Sequence, residues 1–173
     1  MSAETRHVGI LAEHLYHDLE VHYPRLRLAE AGVRVSVIGT GSAPQYEGKY
    51  GFPVRVDTVA SDVAADVLDG LIIPGGWAPD RLRTDPGVLR LVRDLFAAGK
   101  PVGCICHGGW VLSSAGVVSG RRLTCYHAIR DDMVHAGAIY VDQEVVQDGN
   151  LVTSRQPDDL PAFMQTFLRL VFP

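Results

Sequence analysis

Along most of this chain, short unbroken apolar runs alternate with stretches whose apolar residues recur every three to four positions. The run His7-Val-Gly-Ile-Leu-Ala12 predicts a strand, and Val33-Arg-Val-Ser-Val-Ile38, rich in β-branched residues, predicts a second. Between them Leu19, Tyr23, Leu26 and Leu28 to Ala31 recur at helical spacing, and Gly32 supplies a natural stop. From Pro44 to Asp62, Gly48, Gly51 and Pro53 punctuate short alternating stretches that read as a hairpin or an edge strand. The rhythm resumes with a buried strand at Leu71–Pro74, an amphipathic helix at Asp85–Ala98 and a strand at Lys100–Cys104 that enters a glycine-rich turn. A helix at His107–Ala115, the segment Arg122–Cys125 and a helix near Asp131–Ala136 follow. Strands around Ile139–Val146 and Asn150–Thr153 and a final helix, Leu160–Val171, complete the pattern.

Alternating strands and helices predict an α/β domain with a doubly wound, mostly parallel sheet covered on both faces, its sites at the carboxyl ends of the strands. A length of 173 residues suits one domain with a core spanning about residues 7–171. Hydrophobic residues at 47% and charged residues at 21% give the balance of a globular protein. A net charge of -4 with no Lys or Arg cluster argues against a nucleic-acid partner. The start, Met1–Arg6, is polar and carries no apolar signal core, and no apolar run approaches the roughly 18 residues that span a membrane, so a cytoplasmic protein is expected.

Three cysteines, Cys104, Cys106 and Cys125, make an odd count that favours free thiols over a disulfide framework. The C-x-C spacing of Cys104 and Cys106 fits neither a thioredoxin-type pair nor a zinc knuckle. Gly103-Cys-Ile-Cys-His-Gly-Gly-Trp110 instead has the form of a nucleophile elbow, in which an apolar strand delivers a nucleophile to a tight turn that opens a helix. Cys106 takes the nucleophile's place. The amino end of that helix is expected to depress the thiol pKa, and backbone N–H groups at His107 and at the second glycine turn, Gly75-Gly76, are placed to hold an oxyanion. The bland alternative is a buried core cysteine beside an ordinary turn.

These residues also carry a resemblance. Ile73-Pro-Gly-Gly-Trp-Ala-Pro-Asp-Arg81, Ile105-Cys-His-Gly108, Ile129-Arg-Asp-Asp-Met133 with Ala136-Gly137, and Thr153-Ser-Arg-Gln-Pro157 with Asp159-Leu160 resemble the PfpI/ThiJ superfamily over roughly Val8 to Leu170. The resemblance implies a flavodoxin-like fold related to class I glutamine amidotransferases, with a reactive cysteine at Cys106 and an acidic partner at Glu20. It implies a protonated Glu20 donating to a Cys106 thiolate, the two forming a coupled pair that shares one proton. An ionised Glu20 would suppress the thiol's reactivity.

For protease-like members the resemblance implies a further histidine, here His107, and an acid from a neighbouring subunit, here Asp80. Adjacent helical residues point in different directions, which argues against His107 as a direct base. Tyr126 matches a position near the nucleophile, Trp77 stands ready to wall the pocket, and Cys125 reads as core filler. His14, His17 and His22 stand near Glu13 and Asp18, yet the family requires no metal, and no cofactor is implied. His17, read as a pocket residue, occupies a position where members of the resembled family often carry Glu, a departure that bears on which substrate is inherited.

The functional expectation is a cysteine-dependent enzyme of glyoxalase, deglycase or hydrolase type acting on a small electrophilic carbonyl compound or a peptide. One alternative is an oxidative-stress sensor or chaperone-like protein with Cys106 as redox-sensitive thiol. Another is a specialised hydratase or tailoring enzyme, suggested by His17, His22 and Trp110. Subunit contact near Asp80 implies a homo-oligomer, dimer or hexamer.

Overall fold

The computed structural model describes residues 5–173; the first four residues of the polar start lie outside the described residues. In chain order the elements are β1 (His7–Leu11), α1 (Asp18–Glu30), β2 (Arg34–Gly39), β3 (Gln45–Glu47), β4 (Pro53–Arg55), β5 (Thr58–Val59), β6 (Gly70–Ile73), α2 (Ala78–Leu82), α3 (Pro86–Ala97) and β7 (Val102–Ile105). They continue with α4 (Gly109–Ala115), β8 (Arg122–Leu123), α5 (Arg130–His135), β9 (Ile139–Tyr140), β10 (Val145–Asp148), β11 (Leu151–Ser154) and α6 (Leu160–Val171). The main sheet runs β10-β11-β7-β6-β1-β2-β5, parallel throughout except where β10 turns back against β11. The doubly wound, mostly parallel sheet expected from the alternation is the observed fold.

The central strands explain the unbroken apolar runs. Every residue of β1, β6, β7 and β11 is buried, because helices cover both faces and no side of these strands meets water. α1 and α6 pack together, and α3 and α4 form a second pair. In α6, Leu160, Phe163, Met164, Phe167 and Val171 are buried at the three-to-four-residue spacing of one helical face. Gly103 in β7 leaves the gap those rings fill: a Cβ there would stand 2.7 Å from Phe163 Cζ and 3.0 Å from Phe167 Cδ2.

Several expectations change on contact with the tertiary structure. The apolar stripe read for the first helix is its buried face only at Leu28: Leu19 and Leu26 are 55% and 62% exposed, and Glu20, Val21 and Pro24 point inward beside Leu28. The segment Pro44–Asp62 contains both devices expected of it, the β3–β4 hairpin and the edge strand β5. Arg122–Cys125 contributes only the two residues of β8, which pair with β9 in a separate parallel ribbon. The stretch Ile139–Val146 divides into β9 and the start of β10, and α2, which has no counterpart in the sequence reading, follows Trp77 directly.

Gly103→Ala is expected to destabilise the protein by about 1–3 kcal/mol through overpacking against Phe163 and Phe167. Chemical denaturation measures this; an unchanged midpoint would refute the close packing of α6 on β7.

Candidate active site

Cys106 follows the last residue of β7 and adopts φ 61°, the left-handed region a non-glycine residue rarely enters. This is the strain of a nucleophile elbow, worth about 1–3 kcal/mol and sustained only by the surrounding fold. Residues Cys106–Gly108 form a single 3-10 turn before α4 begins at Gly109. Gly108 permits the turn to lie against β6, since a Cβ there would stand 2.8 Å from the Ile73 carbonyl oxygen and 3.1 Å from that of Pro74.

The turn after β6 meets the elbow at Gly75. A Cβ on Gly75 would sit 2.7 Å from Cys106 Cβ, 2.7 Å from Glu20 Oε2 and 2.9 Å from the His107 nitrogen. The loop after β1 is laced to the same turn: the His17 N–H donates to the Gly75 carbonyl at 3.2 Å and the Trp77 N–H to the Leu15 carbonyl at 2.8 Å. Glu20, in the first turn of α1, is wholly buried, and its Oε2 accepts the Gly75 N–H at 2.6 Å. Its other oxygen, Oε1, is buried with no partner among the described residues. Gly75 therefore directs its N–H at Glu20, whereas the sequence reading aimed it at an oxyanion; the N–H groups of His107 and Gly76 are the ones turned toward the sulfur.

The electrostatics follow from burial. Loss of water pushes the Glu20 carboxyl up to about 7, against the lowering effects of the Gly75 N–H, the Cys106 side chain and the Lys49 cation. Burial also pushes the Cys106 thiol up to about 12, with the Glu20 charge adding to the rise and the His107 and Gly76 N–H groups opposing it. The depressed thiol expected from the helix end is thus outweighed, first by burial and then by the Glu20 charge. A proton on Glu20 removes that charge, so the two groups compete for one proton.

His107 reaches the sulfur, with Nδ1 3.3 Å from Sγ. The divergence expected of helical neighbours does not apply, because Cys106 sits in a left-handed conformation ahead of the helix. Burial lowers the His107 pKa, and the Lys49 and His127 charges lower it further, so its ring is neutral near pH 7. The ring stacks on Tyr126 at 4.9 Å and meets Trp110 edge-on at 5.3 Å. Asp80 is exposed on α2 and makes no hydrogen bond or ion pair to His107 among the described residues. Cys104 and Cys125 are buried, unpaired thiols whose pKa values burial raises.

A cavity of about 400 Å³ opens in front of Cys106, lined by His17, Lys49, Gly76, Trp77, His107 and Tyr126, with Ala128 and Pro157 closing it. A larger groove of about 530 Å³ lies between α1 and β4 and contains no nucleophile. Burial lowers the His17 pKa, with Lys49 lowering it further, and its Nδ1 is buried without a partner among the described residues. His14 and His22 diverge from it: His14 Nδ1 accepts the Glu47 N–H at 3.3 Å and His22 Nε2 lies 3.0 Å from the Tyr16 hydroxyl. Among the described residues no group of three or more His, Cys, Asp or Glu side chains is arranged to hold a metal ion.

Lys49 is the site residue that sequence reasoning missed. It stands at the tip of the β3–β4 hairpin, and Asp18 pins that tip by accepting the Tyr50 N–H at 3.0 Å and the Phe52 N–H at 2.9 Å. The available signal was a lone cation in the turn Gly48-Lys-Tyr-Gly51, directly after a hairpin strand.

Glu20→Gln tests the buried carboxyl. A folded-state pKa raised from the ordinary 4.5 to about 7 means the native protein holds a proton that the unfolded chain has lost, so stability falls as pH rises across that window. The loss approaches about 3 kcal/mol. The variant is expected to be more stable than wild type by up to that amount at pH 8 and to converge with it near pH 4. Parallel pH–stability curves would show that Glu20 is not raised.

Comparison with known proteins agrees with this geometry. The DJ-1/PfpI family profile matches residues 6–170. Deglycase PfpI from Pyrococcus furiosus is 44% identical over 93% of this chain and 96% of its own length. The putative cysteine protease YraA from Bacillus subtilis is 39% identical over 96% of this chain and 99% of its own. Among solved structures, a two-domain protein from Anabaena variabilis with DJ-1/ThiJ/PfpI-like and ferritin-like domains superposes with a TM-score of 0.94 at 38% identity over 95% of this chain; the chain spans 48% of that protein's length. DJ-1beta from Drosophila melanogaster superposes with a TM-score of 0.90 at 27% identity, over 98% of this chain and 92% of its own. No helix among the described residues is long and apolar enough to cross a membrane. With its parallel sheet, its strained cysteine and these relatives over nearly its whole length, the chain belongs to the DJ-1/PfpI family and is an enzyme of the PfpI type.

Proposed function

We propose that this protein is a cysteine-dependent enzyme whose Cys106 adds to the electrophilic carbon of a small carbonyl compound or of its adduct with an amine. The observation that carries the reading is the placement of Cys106 at the inner end of a cavity of about 400 Å³, with an imidazole nitrogen 3.3 Å from its sulfur. That volume suits a small ligand, whereas a peptide needs an open groove. The name of the Pyrococcus furiosus relative, deglycase PfpI, supports the carbonyl-adduct class.

In the proposed step the sulfur forms a bond to the carbonyl carbon, the C=O π pair moves to oxygen, and that oxygen meets the N–H groups of His107 and Gly76. The thiol proton passes to neutral His107 at Nδ1, which returns it to the oxygen. Glu20 acts through its proton: protonated, it leaves the sulfur's negative charge unopposed, and its buried, unpartnered Oε1 favours that neutral form near pH 7. Lys49 adds a cation to the cavity lining that favours negative charge on the adduct oxygen. We assign to Asp80 the orientation of His107 across a subunit boundary in a homo-oligomer, supported by its exposure on α2 and by the lack of a carboxylate partner for His107 within the described chain.

A redox-sensing role for Cys106 is a second reading, favoured by the name of another relative, general stress protein 18 from Bacillus subtilis, 40% identical over 95% of this chain. Peroxide titration with intact-mass detection separates the two: selective Cys106 oxidation without turnover of any carbonyl compound supports the sensor.

Cys106→Ala is expected to lower methylglyoxal consumption by at least about a hundredfold, as loss of a covalent nucleophile does. Equal rates in wild type and variant would refute the nucleophile. As pH rises through about 7 Glu20 ionises and its charge holds the thiol protonated, so Cys106 alkylation by iodoacetamide is expected to rise less steeply above that pH in wild type than in Glu20→Gln. An identical profile in the variant would separate Glu20 from the thiol.

A further inference from the structure

The rings around the cavity exceed what packing needs. Trp77 is 57% exposed although its backbone is fixed by the N–H bond to Leu15, and its indole lines the same cavity as Cys106. Its centroid lies 6.1 Å from that of His107 at an interplanar angle of 38°, a tilted contact that leaves more than half of Trp77 exposed. His107 has its own partner in Tyr126, stacked at 4.9 Å and 29°. On the other side of the cavity His17 meets exposed Tyr50 edge-on at 5.5 Å. An isolated exposed tryptophan is ordinary on a protein surface. One whose face is open beside a nucleophile, in a cavity otherwise walled by aromatic and imidazole rings, is a surface for another ring.

We propose that Trp77 is the docking face for a planar aromatic group borne on the substrate's carbonyl, which makes aryl dicarbonyl compounds or their amine adducts the preferred substrate class. This rests on the covalent reading given above and specifies it. Trp77 positions the ring, and the aldehyde carbon beyond the ketone lies over Cys106 Sγ, which bonds to it; the hydrogen of that carbon passes to the ketone carbon, and water cleaves the resulting thioester to release the sulfur. For an arylglyoxal the balanced conversion adds one water: the aldehyde carbon is oxidised to a carboxylate carbon, the ketone carbon is reduced to the carbinol, and the sulfur is released unchanged. No external oxidant or reductant enters.

The experiment compares phenylglyoxal with methylglyoxal as substrates of the full chain. Wild type is expected to favour phenylglyoxal in kcat/KM by about tenfold, the size of one aromatic contact, with the difference mainly in KM. Trp77→Ala is expected to bring the ratio close to one, and Trp77→Phe to retain most of it. A wild-type ratio near one, or a preference that survives Trp77→Ala, would overturn the proposal. So would a variant that loses both substrates equally while its oligomer dissociates on size-exclusion chromatography, since Trp77 would then be a subunit contact.

A second readout needs no turnover. Alkylation of Cys106 by N-phenyliodoacetamide relative to iodoacetamide is expected to show the same preference in wild type and to lose it in Trp77→Ala. A phenyl preference in alkylation with neither glyoxal consumed would keep the docking face and refute the carbonyl chemistry. Methylglyoxal turnover with no phenyl preference in either assay would keep the carbonyl chemistry and refute the docking face.

Discussion

The site depends on a point where no side chain fits. At Gly75 the turn after β6, the elbow after β7 and the first turn of α1 approach so closely that a single methyl group would collide with Cys106, with Glu20 and with the His107 backbone together. That absence lets a carboxyl group, deprived of water, stand against a sulfur held in a left-handed backbone conformation. The hydrogen bond from the Gly75 N–H to Glu20 Oε2 fixes the carboxyl's position, and through it the distance over which its charge acts on the thiol. The raised titrations of Glu20 and Cys106 follow from this one packing constraint.

Such an arrangement opposes stability in two ways. An elbow residue at positive φ is strained, and a buried carboxylate without a cation bonded to it raises the energy of the native state once it ionises. The fold absorbs both costs because the elbow is clamped between central strands that helices bury on each face, and because the loop after β1 is hydrogen-bonded to the glycine turn. Strain and burial are concentrated where the chemistry is proposed, and the remaining core is built from ordinary aliphatic and aromatic packing.

The rest of the cavity is contributed by segments with no part in the central sheet. The hairpin brings Lys49, anchored by Asp18; the turn into α2 brings Trp77; the chain after β8 brings Tyr126. These surface segments can vary in chemistry without disturbing the Gly75–Glu20–Cys106 contact, which is how one scaffold accommodates different substrates. In this chain they assemble rings and a cation around the sulfur.

What could be read in advance followed from periodicity and turn chemistry. Continuous apolar runs at His7–Ala12 and Leu71–Pro74 identified strands buried on both faces, and the spacing of Leu160 to Val171 identified the helix that covers β7. The elbow was legible because a strand, a nucleophile and two glycines are contiguous in sequence. Glu20 was not legible from its own neighbours: Leu19 and Leu26 suggested a buried face that in fact looks to solvent, because Pro24, Val21 and Leu28 dock on the sheet and turn the glutamate inward. Its assignment came only by resemblance. Lys49 and the reach of His107 were likewise hidden, the first because a hairpin's tip gains its neighbours only when it folds over the sheet edge, the second because one left-handed residue redirects the side chain after it. The sequence by itself determined the main alternation of central strands and covering helices and the nucleophile's turn, since both arise from local spacing. The tertiary structure alone decided which acid is buried, which N–H it takes and which rings face the sulfur, since those depend on contacts between segments far apart in the chain.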